Sequence, residues 1–216
     1  PGRLNMAQAA AIAELAMLAL AVGARLRHVL NSAKAQEAHT HALMGAMGTD
    51  ALTGATSRAG FESRGDEWLR EGRPFSLMLV GLNGFSRVNE RHGRAGGDAV
   101  LAAIAQRLRQ QVRADDMVAR LGDDEFALLL VGSPTRQKLA EMAIRIETAG
   151  ATPVTYEGRL LAGGELSMGI ACHPADGDTL ASLMASAAEA LRHCKQQRMG
   201  PAYAFAGEHG GSARGA

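Results

Sequence analysis

The residues with the clearest chemical potential run Arg120-Leu121-Gly122-Asp123-Asp124-Glu125-Phe126. Three consecutive carboxylates repel one another unless a cation or a set of donors holds them. The stretch is therefore either a solvated acidic turn or part of a metal or nucleotide site. Apolar runs flank it, Met117-Val118-Ala119 before and Ala127-Leu128-Leu129-Leu130-Val131 after. Gly-Asp-Asp between two such runs predicts a β-hairpin with the acids at its tip.

The rest of the chain has to place that tip. Its 216 residues, 47% of them apolar, suit one compact domain plus an appendage. Charge is almost balanced, 23 Lys+Arg against 22 Asp+Glu, so nothing points to nucleic acid or an acidic partner. Cys172 and Cys194 lack metal-type spacing and fit a reducing compartment better than a disulfide framework. His39 and His41, a close pair, read as solvated helix surface. The chain opens on Pro1 without a recognisable signal peptide, as a piece of a longer protein would.

Residues 6–48 are Ala-rich and free of Pro, and predict one long helix. Ile12, Leu15, Ala19, Val22, Leu26 and Val29 step by three and four, a coiled-coil seam for a parallel dimer. The alternative is the end of a membrane helix over 6–24 with Arg25 and Arg27 as cytoplasmic anchors; Glu14 and the weakly apolar Ala content argue against it. Downstream, the patterns predict a helix over 57–71, a buried strand over 75–82, a short helix over 85–92 stopped by Gly93, and another opening at Gly96-Gly97-Asp98. The acidic hairpin follows. Ser133-Pro134 reads as the start of a helix to about 148. Strands near 154–161 and 165–172, a helix from Asp178-Thr179 to about 197, a short strand at 203–205 and a Gly-rich tail complete the chain. This order predicts an α+β fold with a central, mainly antiparallel sheet flanked by helices, the layout of a nucleotide cyclase or polymerase palm.

Four stretches then point one way: Asp50-x-Leu52-Thr53-Gly54-x-x-x-Arg58, Asn89-x-x-x-Gly93-x-x-Gly96-Gly97-Asp98, the acidic stretch itself, and Ser167-x-Gly169-Ile170-Ala171. Together they resemble the GGDEF family of diguanylate cyclase domains. The resemblance implies three parts: a signalling helix over 1–48, the domain over 49–206, and a flexible tail or linker over 207–216. In that family two domains, each with a GTP, face each other and make cyclic di-GMP, using carboxylates that hold two divalent cations, Mg²⁺ or Mn²⁺. The guanine end is kept here, since Asn89 and Asp98 fall at base-contacting positions. The phosphate and metal end departs from the pattern. Gly81 stands where the family has a metal-binding Asp, Ser86 where it has Lys, and Asp123 where it has the second Gly. A carboxylate pushed into a phosphate surface meets a repulsion of about 4 kcal/mol at 4 Å and an effective dielectric near 20. Asp124 remains as a vestigial metal carboxylate and Glu125 keeps its place. Lys195 matches a phosphate-binding Lys, while Met199, with Arg198 beside it, replaces an Arg.

Upstream, Arg113-Ala114-Asp115-Asp116 matches the family's Arg-x-x-Asp inhibitory site for cyclic di-GMP, and Arg145 matches a supplementary Arg. Arg can fork onto guanine O6 and N7, and Asp can accept from N1 and N2. The resemblance thus implies an inactive domain, needing no cofactor, that binds cyclic di-GMP through Arg113, Asp116 and Arg145. Homodimerisation through the N-terminal helix, an attached sensor or EAL domain, and a cytoplasmic location, free or as part of an inner-membrane protein, go with it. The alternatives are a weak cyclase on Asp123 and Asp124, a GTP-binding regulatory module for an EAL phosphodiesterase, and a nucleotide-free docking domain.

Overall fold

The computed structural model describes residues 48–197 and 200–207. The expected seam, the membrane alternative, the His39/His41 pair, Arg198, Met199 and the tail from 208 lie outside them.

Helix α1 (Arg58–Arg70) begins where the Ser57 hydroxyl accepts from the Gly60 N–H, and it buries Phe61, Gly65 and Trp68. Strand β1 (Phe75–Asn83) is buried along nearly its whole length. Helix α2 (Phe85–Gln111) contains a break at Gly93, at φ 72° and ψ 171°. That conformation favours glycine and divides the helix into the two pieces the sequence predicts. Strands β2 (Met117–Arg120) and β3 (Glu125–Val131) form the acidic hairpin. Helix α3 (Arg136–Ala151) is capped by Thr135, whose side chain accepts from the Lys138 N–H, rather than by Ser133. Strands β4 (Val154–Tyr156), β5 (Arg159–Leu161) and β6 (Glu165–His173), helix α4 (Leu180–Gln196) and strand β7 (Tyr203–Phe205) follow. A reciprocal capping box between Thr179 and Ser182 starts α4.

The five-stranded sheet runs β2-β3-β1-β6-β7, antiparallel throughout except for the parallel β6–β7 pair. The architecture is α+β, as the sequence predicts. The segment 154–161 is not one strand: β4 and β5 pair with each other as a separate ribbon. Glu157 at φ 47° and Gly158 at φ 73° turn the chain between them, as the favoured two-residue hairpin turns require.

Side-chain alternation divides the core. Met78, Val80, Leu82, Phe126, Leu128, Met168 and Ile170 pack with Ile104 and Leu108 of α2 and Leu139 and Ile146 of α3. Phe75, Leu77, Leu79, Ala127, Leu129 and Ala171 pack with Phe61 and Trp68 of α1 and Leu183 and Leu191 of α4. With helices on both faces, the strands read as continuous apolar runs. Each fully buried large side chain contributes about 1.5–3 kcal/mol of transfer free energy. Among the described residues no helix is long and apolar enough to cross a membrane.

Candidate functional site

The hairpin tip, residues 121–124, is held from beneath by two arginines. Arg58 of α1 donates from Nε and Nη2 to the Leu121 carbonyl at 3.0 and 2.6 Å. Arg120 donates from Nε to the Gly122 carbonyl and from Nη2 to the Asp123 carbonyl, both at 3.0 Å. The Asp124 carbonyl accepts from the Leu82 N–H at 3.0 Å. Because a trans peptide sends the next N–H opposite its carbonyl, the N–H groups of Asp123 and Asp124 face away from the Arg120 guanidinium.

Arg120 also forms an ion pair with Asp50 at 3.3 Å, and Thr53 donates to Asp50 Oδ1 from both its N–H and its hydroxyl. Partial burial pushes the Asp50 pKa up. The two Thr53 donors and Arg120 outweigh that push, so the carboxyl titrates below the ordinary 3.8. The loop of the Asp50-x-Leu-Thr motif is thereby fastened to the acidic tip.

A cleft of about 480 Å³ opens beside the tip, lined by Phe85, Ser86, Asn89, Arg94, Asp98, Leu101, Arg120, Asp123 and Asp124. It gathers Asn89, Asp98, Asp123 and Asp124 from two distant segments, and Ser86 with them. The Asn89 side chain is tied to a glycine, because its Oδ1 fills the space where a Cβ at residue 97 would stand. Only Gly at 97 lets the amide lie against that turn of α2. Arg94, which sequence reasoning passed over, adds a cation to the wall. Its place immediately after the Gly93 break was the available signal. Phe126 serves the core instead of the cleft, as it is fully buried. Gly122 has nothing within 4 Å of a would-be Cβ, so its small size leaves the outer face of the tip open.

Lys195 lies elsewhere, over Gly81. Period-two alternation puts residue 81 on the α4 face of the sheet, beside its ladder partners Glu125 and Ser167. A Cβ built on Gly81 would stand 2.6 Å from Lys195 Nζ. An ammonium thus occupies the corner where a metal-binding carboxylate is expected. Among the described residues no three His, Cys, Asp or Glu side chains come together to hold a metal ion. A pair of divalent cations needs carboxylates from two segments. The residues present, Asp124 with a cation in place of its partner, do not fit such a pair.

A second cleft, of about 440 Å³, lies at the far end of α2. Arg113 and Asp116 line it together with Lys138, Glu141, Met142 and Arg145 of α3. The three residues singled out in sequence, Arg113, Asp116 and Arg145, share this one cavity. Arg113 and Arg145 are exposed and Asp116 half-buried. Asp116 also supports the local backbone. Its Oδ2 accepts from the Arg113 N–H and its Oδ1 from the Val131 N–H, each at 2.9 Å. The carboxylate closes its own turn and ties it to the end of β3. Each oxygen keeps a second lone pair for a ligand. Lys138 and Glu141 are additions that sequence reasoning missed. Their i−7 and i−4 spacing to Arg145 was the legible sign.

The profile of the family described as "Diguanylate cyclase, GGDEF domain" matches residues 47–201. The chain is 35% identical over 155 residues to the diguanylate cyclase TpbB of Pseudomonas aeruginosa, an alignment covering 70% of this chain and 36% of TpbB. It therefore spans about a third of that relative. The bifunctional diguanylate cyclase/phosphodiesterase MucR of the same species is 37% identical over 131 residues, 60% of this chain and 18% of MucR. Among solved structures, the GGDEF domain of TpbB superposes with a TM-score of 0.66 at 33% identity, covering 73% of this chain and 91% of that one. The coiled coil and GGDEF domain of DgcB from Caulobacter crescentus shares the fold at a TM-score of 0.65 and 20% identity, covering 86% and 99%.

Proposed function

This chain belongs to the GGDEF family, and we propose that its domain has lost cyclase turnover and acts as a receptor for cyclic di-GMP. The observation that carries the reading is the shared cleft of Arg113, Asp116 and Arg145. Two of these side chains come from the turn after α2, the third from α3. Arg113 forks onto guanine O6 and N7 while Asp116 accepts from N1 and N2. Loss of turnover is supported by Gly81, by the Lys195 ammonium above it, and by Asp123 on the tip. The domain spans 49–206, preceded by a dimerising helix and followed by a tail, and works in the cytoplasm. Bound ligand biases that helix or a covalently attached domain.

Calorimetry with cyclic di-GMP on the wild type and on Arg113→Ala tests the receptor role. The wild type binds and the variant loses affinity by about ten- to a hundredfold, the value of one bidentate base contact. Absent binding by the wild type, or equal binding by both, ends the reading.

A second reading, GTP binding without turnover, is favoured by Asn89 and Asp98 sharing the other cleft. A carboxylate facing guanine N1 and N2 needs no metal to recognise the base. Titration with GTP, followed by chromatography for products, decides it. Binding without product supports this reading, and no binding removes it.

A further inference from the structure

We propose that the cleft beside the acidic tip selects a guanine nucleoside without phosphates, with Asn89 and Asp98 on the base and the tip carboxylates on the ribose diol. The proposal rests on the base contacts of the GTP reading and departs from that reading over the phosphates.

The side chains around this cleft are uncommitted. Among the described residues, those of Asn89, Arg94, Asp98, Asp123 and Asp124 make no hydrogen bond or ion pair. Arg120 is the exception, engaged by Asp50 and by the carbonyls of Gly122 and Asp123. Asn89 Oδ1 lies against Gly97, so the Nδ2 donors are the end of the amide left for a ligand. The cleft thus sets one amide donor beside one carboxylate acceptor. Guanine presents the complement along one edge: O6 accepts, while N1–H and N2–H donate. Adenine, with a donor at N6 and a lone pair at N1, meets both groups the wrong way round.

The rest of the wall disfavours phosphate. Asp98, Asp123 and Asp124 face two cations, and one of these, Arg120, has its donors spent on the protein. Lys195 lies over Gly81 instead of in the cleft. Among the described residues no three His, Cys, Asp or Glu side chains gather to hold a cation that could screen the tip. A phosphate chain there meets like charge without compensation. A ribose is neutral, and its hydroxyls donate to carboxylates, as they do to the acidic residue of dinucleotide sites. The volume of about 480 Å³ falls within the range of small-molecule sites. Base donors, diol donors and the absence of charge together use the groups that the cleft leaves free.

The test is calorimetry on the full chain in EDTA with guanosine, adenosine, GMP and GTP, and again with GTP in Mg²⁺. Guanosine binds, and adenosine binds at least about tenfold more weakly. GMP and metal-free GTP trail guanosine by about tenfold or more. Mg²⁺ improves GTP by less than about threefold, because the carboxylates needed to hold it are not assembled. 2′,3′-Dideoxyguanosine, which lacks the diol, loses about tenfold against guanosine. Asp123→Asn keeps the side-chain volume and removes the charge, so it brings GMP to within about threefold of guanosine. Asp123 is exposed, and circular dichroism checks that the variant folds. GTP binding as tightly as guanosine, with or without Mg²⁺, overturns this inference and leaves the GTP reading standing. An unchanged gap in Asp123→Asn, or dideoxyguanosine equal to guanosine, overturns the role given to the tip. If none of these ligands binds, both readings of this cleft fall, while the cyclic di-GMP titration still decides the receptor role of the other.

Discussion

The two clefts are nearly equal in volume, about 480 and 440 Å³, and α2 contributes to both, its early turns to one and its end to the other. Their charge differs in sign. The cleft beside the tip sets Asp98, Asp123 and Asp124 against Arg94 and Arg120. Arg120 is already engaged with Asp50 and with two tip carbonyls. The other cleft sets three cations against two carboxylates. A phosphate-bearing ligand without divalent cations is repelled by the first and attracted by the second. The backbone of the acidic tip is tightly held, so the difference between the clefts lies in which side chains project into them.

The strongest effect separates fold from chemistry within the signature. Phe126 is fully buried between the sheet and the helices. Phe126→Ala lowers unfolding stability by about 3–5 kcal/mol, read by urea denaturation, whereas Asp123→Gly changes stability little. A Phe126→Ala loss below about 1 kcal/mol breaks the assignment of that residue to the core.

Next comes the acidic cleft itself. Gly81→Asp alone places a carboxylate against Lys195 and gives an ion pair rather than a metal ligand, so GTP affinity in Mg²⁺ stays within about threefold of wild type. Gly81→Asp with Lys195→Ala and Asp123→Gly frees the new carboxylate from its ion pair and removes the intruding one. It raises Mg²⁺-dependent GTP affinity by about tenfold or more, as titration shows. Full recovery from Gly81→Asp alone contradicts the blocking role of Lys195.

A third variant sharpens the opposite cleft. Asp116→Ala leaves the Arg113 and Val131 N–H groups without their acceptor. It is expected to lose about 1–3 kcal/mol of stability together with ligand affinity. Arg113→Ala loses affinity at unchanged melting temperature. If Asp116→Ala melts like the wild type, the turn does not depend on its carboxylate.

The weakest effect concerns the fastening of the tip. Asp50 has a folded pKa below its unfolded value, so its stabilisation is fully present above the unfolded value, near 3.8. It fades as pH falls through the lower, folded one. Asp50→Asn is therefore less stable than wild type at pH 7, by about 1–2 kcal/mol given the partly exposed pair. The two proteins converge as the pH falls below the folded value. A constant difference across that range breaks the assignment.

Much of this was legible in the sequence. The 75–82 run, Ser76 and Gly81 apart, is apolar on both faces, which marks a central strand covered by helices. The hairpin register follows from the apolar runs that flank the acids. The β4–β5 ribbon was missed because Glu157-Gly158 lacks the Asn-Gly or Asp-Gly signature, although its backbone adopts the same left-handed turn. Thr135 displaced Ser133 as cap because both are good acceptors two residues apart, and propensity does not rank them. Motif spacing could place Arg113, Asp116 and Arg145. The double acceptor role of Asp116, the Lys195 ammonium over Gly81, and the presence of Arg94 in the acidic cleft depend on contacts between distant segments, which local pattern does not encode.

A single sample can interrogate both clefts. The chain is incubated with GTP and Mg²⁺, its nucleotides are chromatographed, and the same preparation is titrated with cyclic di-GMP. A receptor without turnover makes no cyclic di-GMP and binds the added cyclic di-GMP saturably. Steady accumulation of cyclic di-GMP from GTP, or no binding of the added ligand, contradicts that assignment.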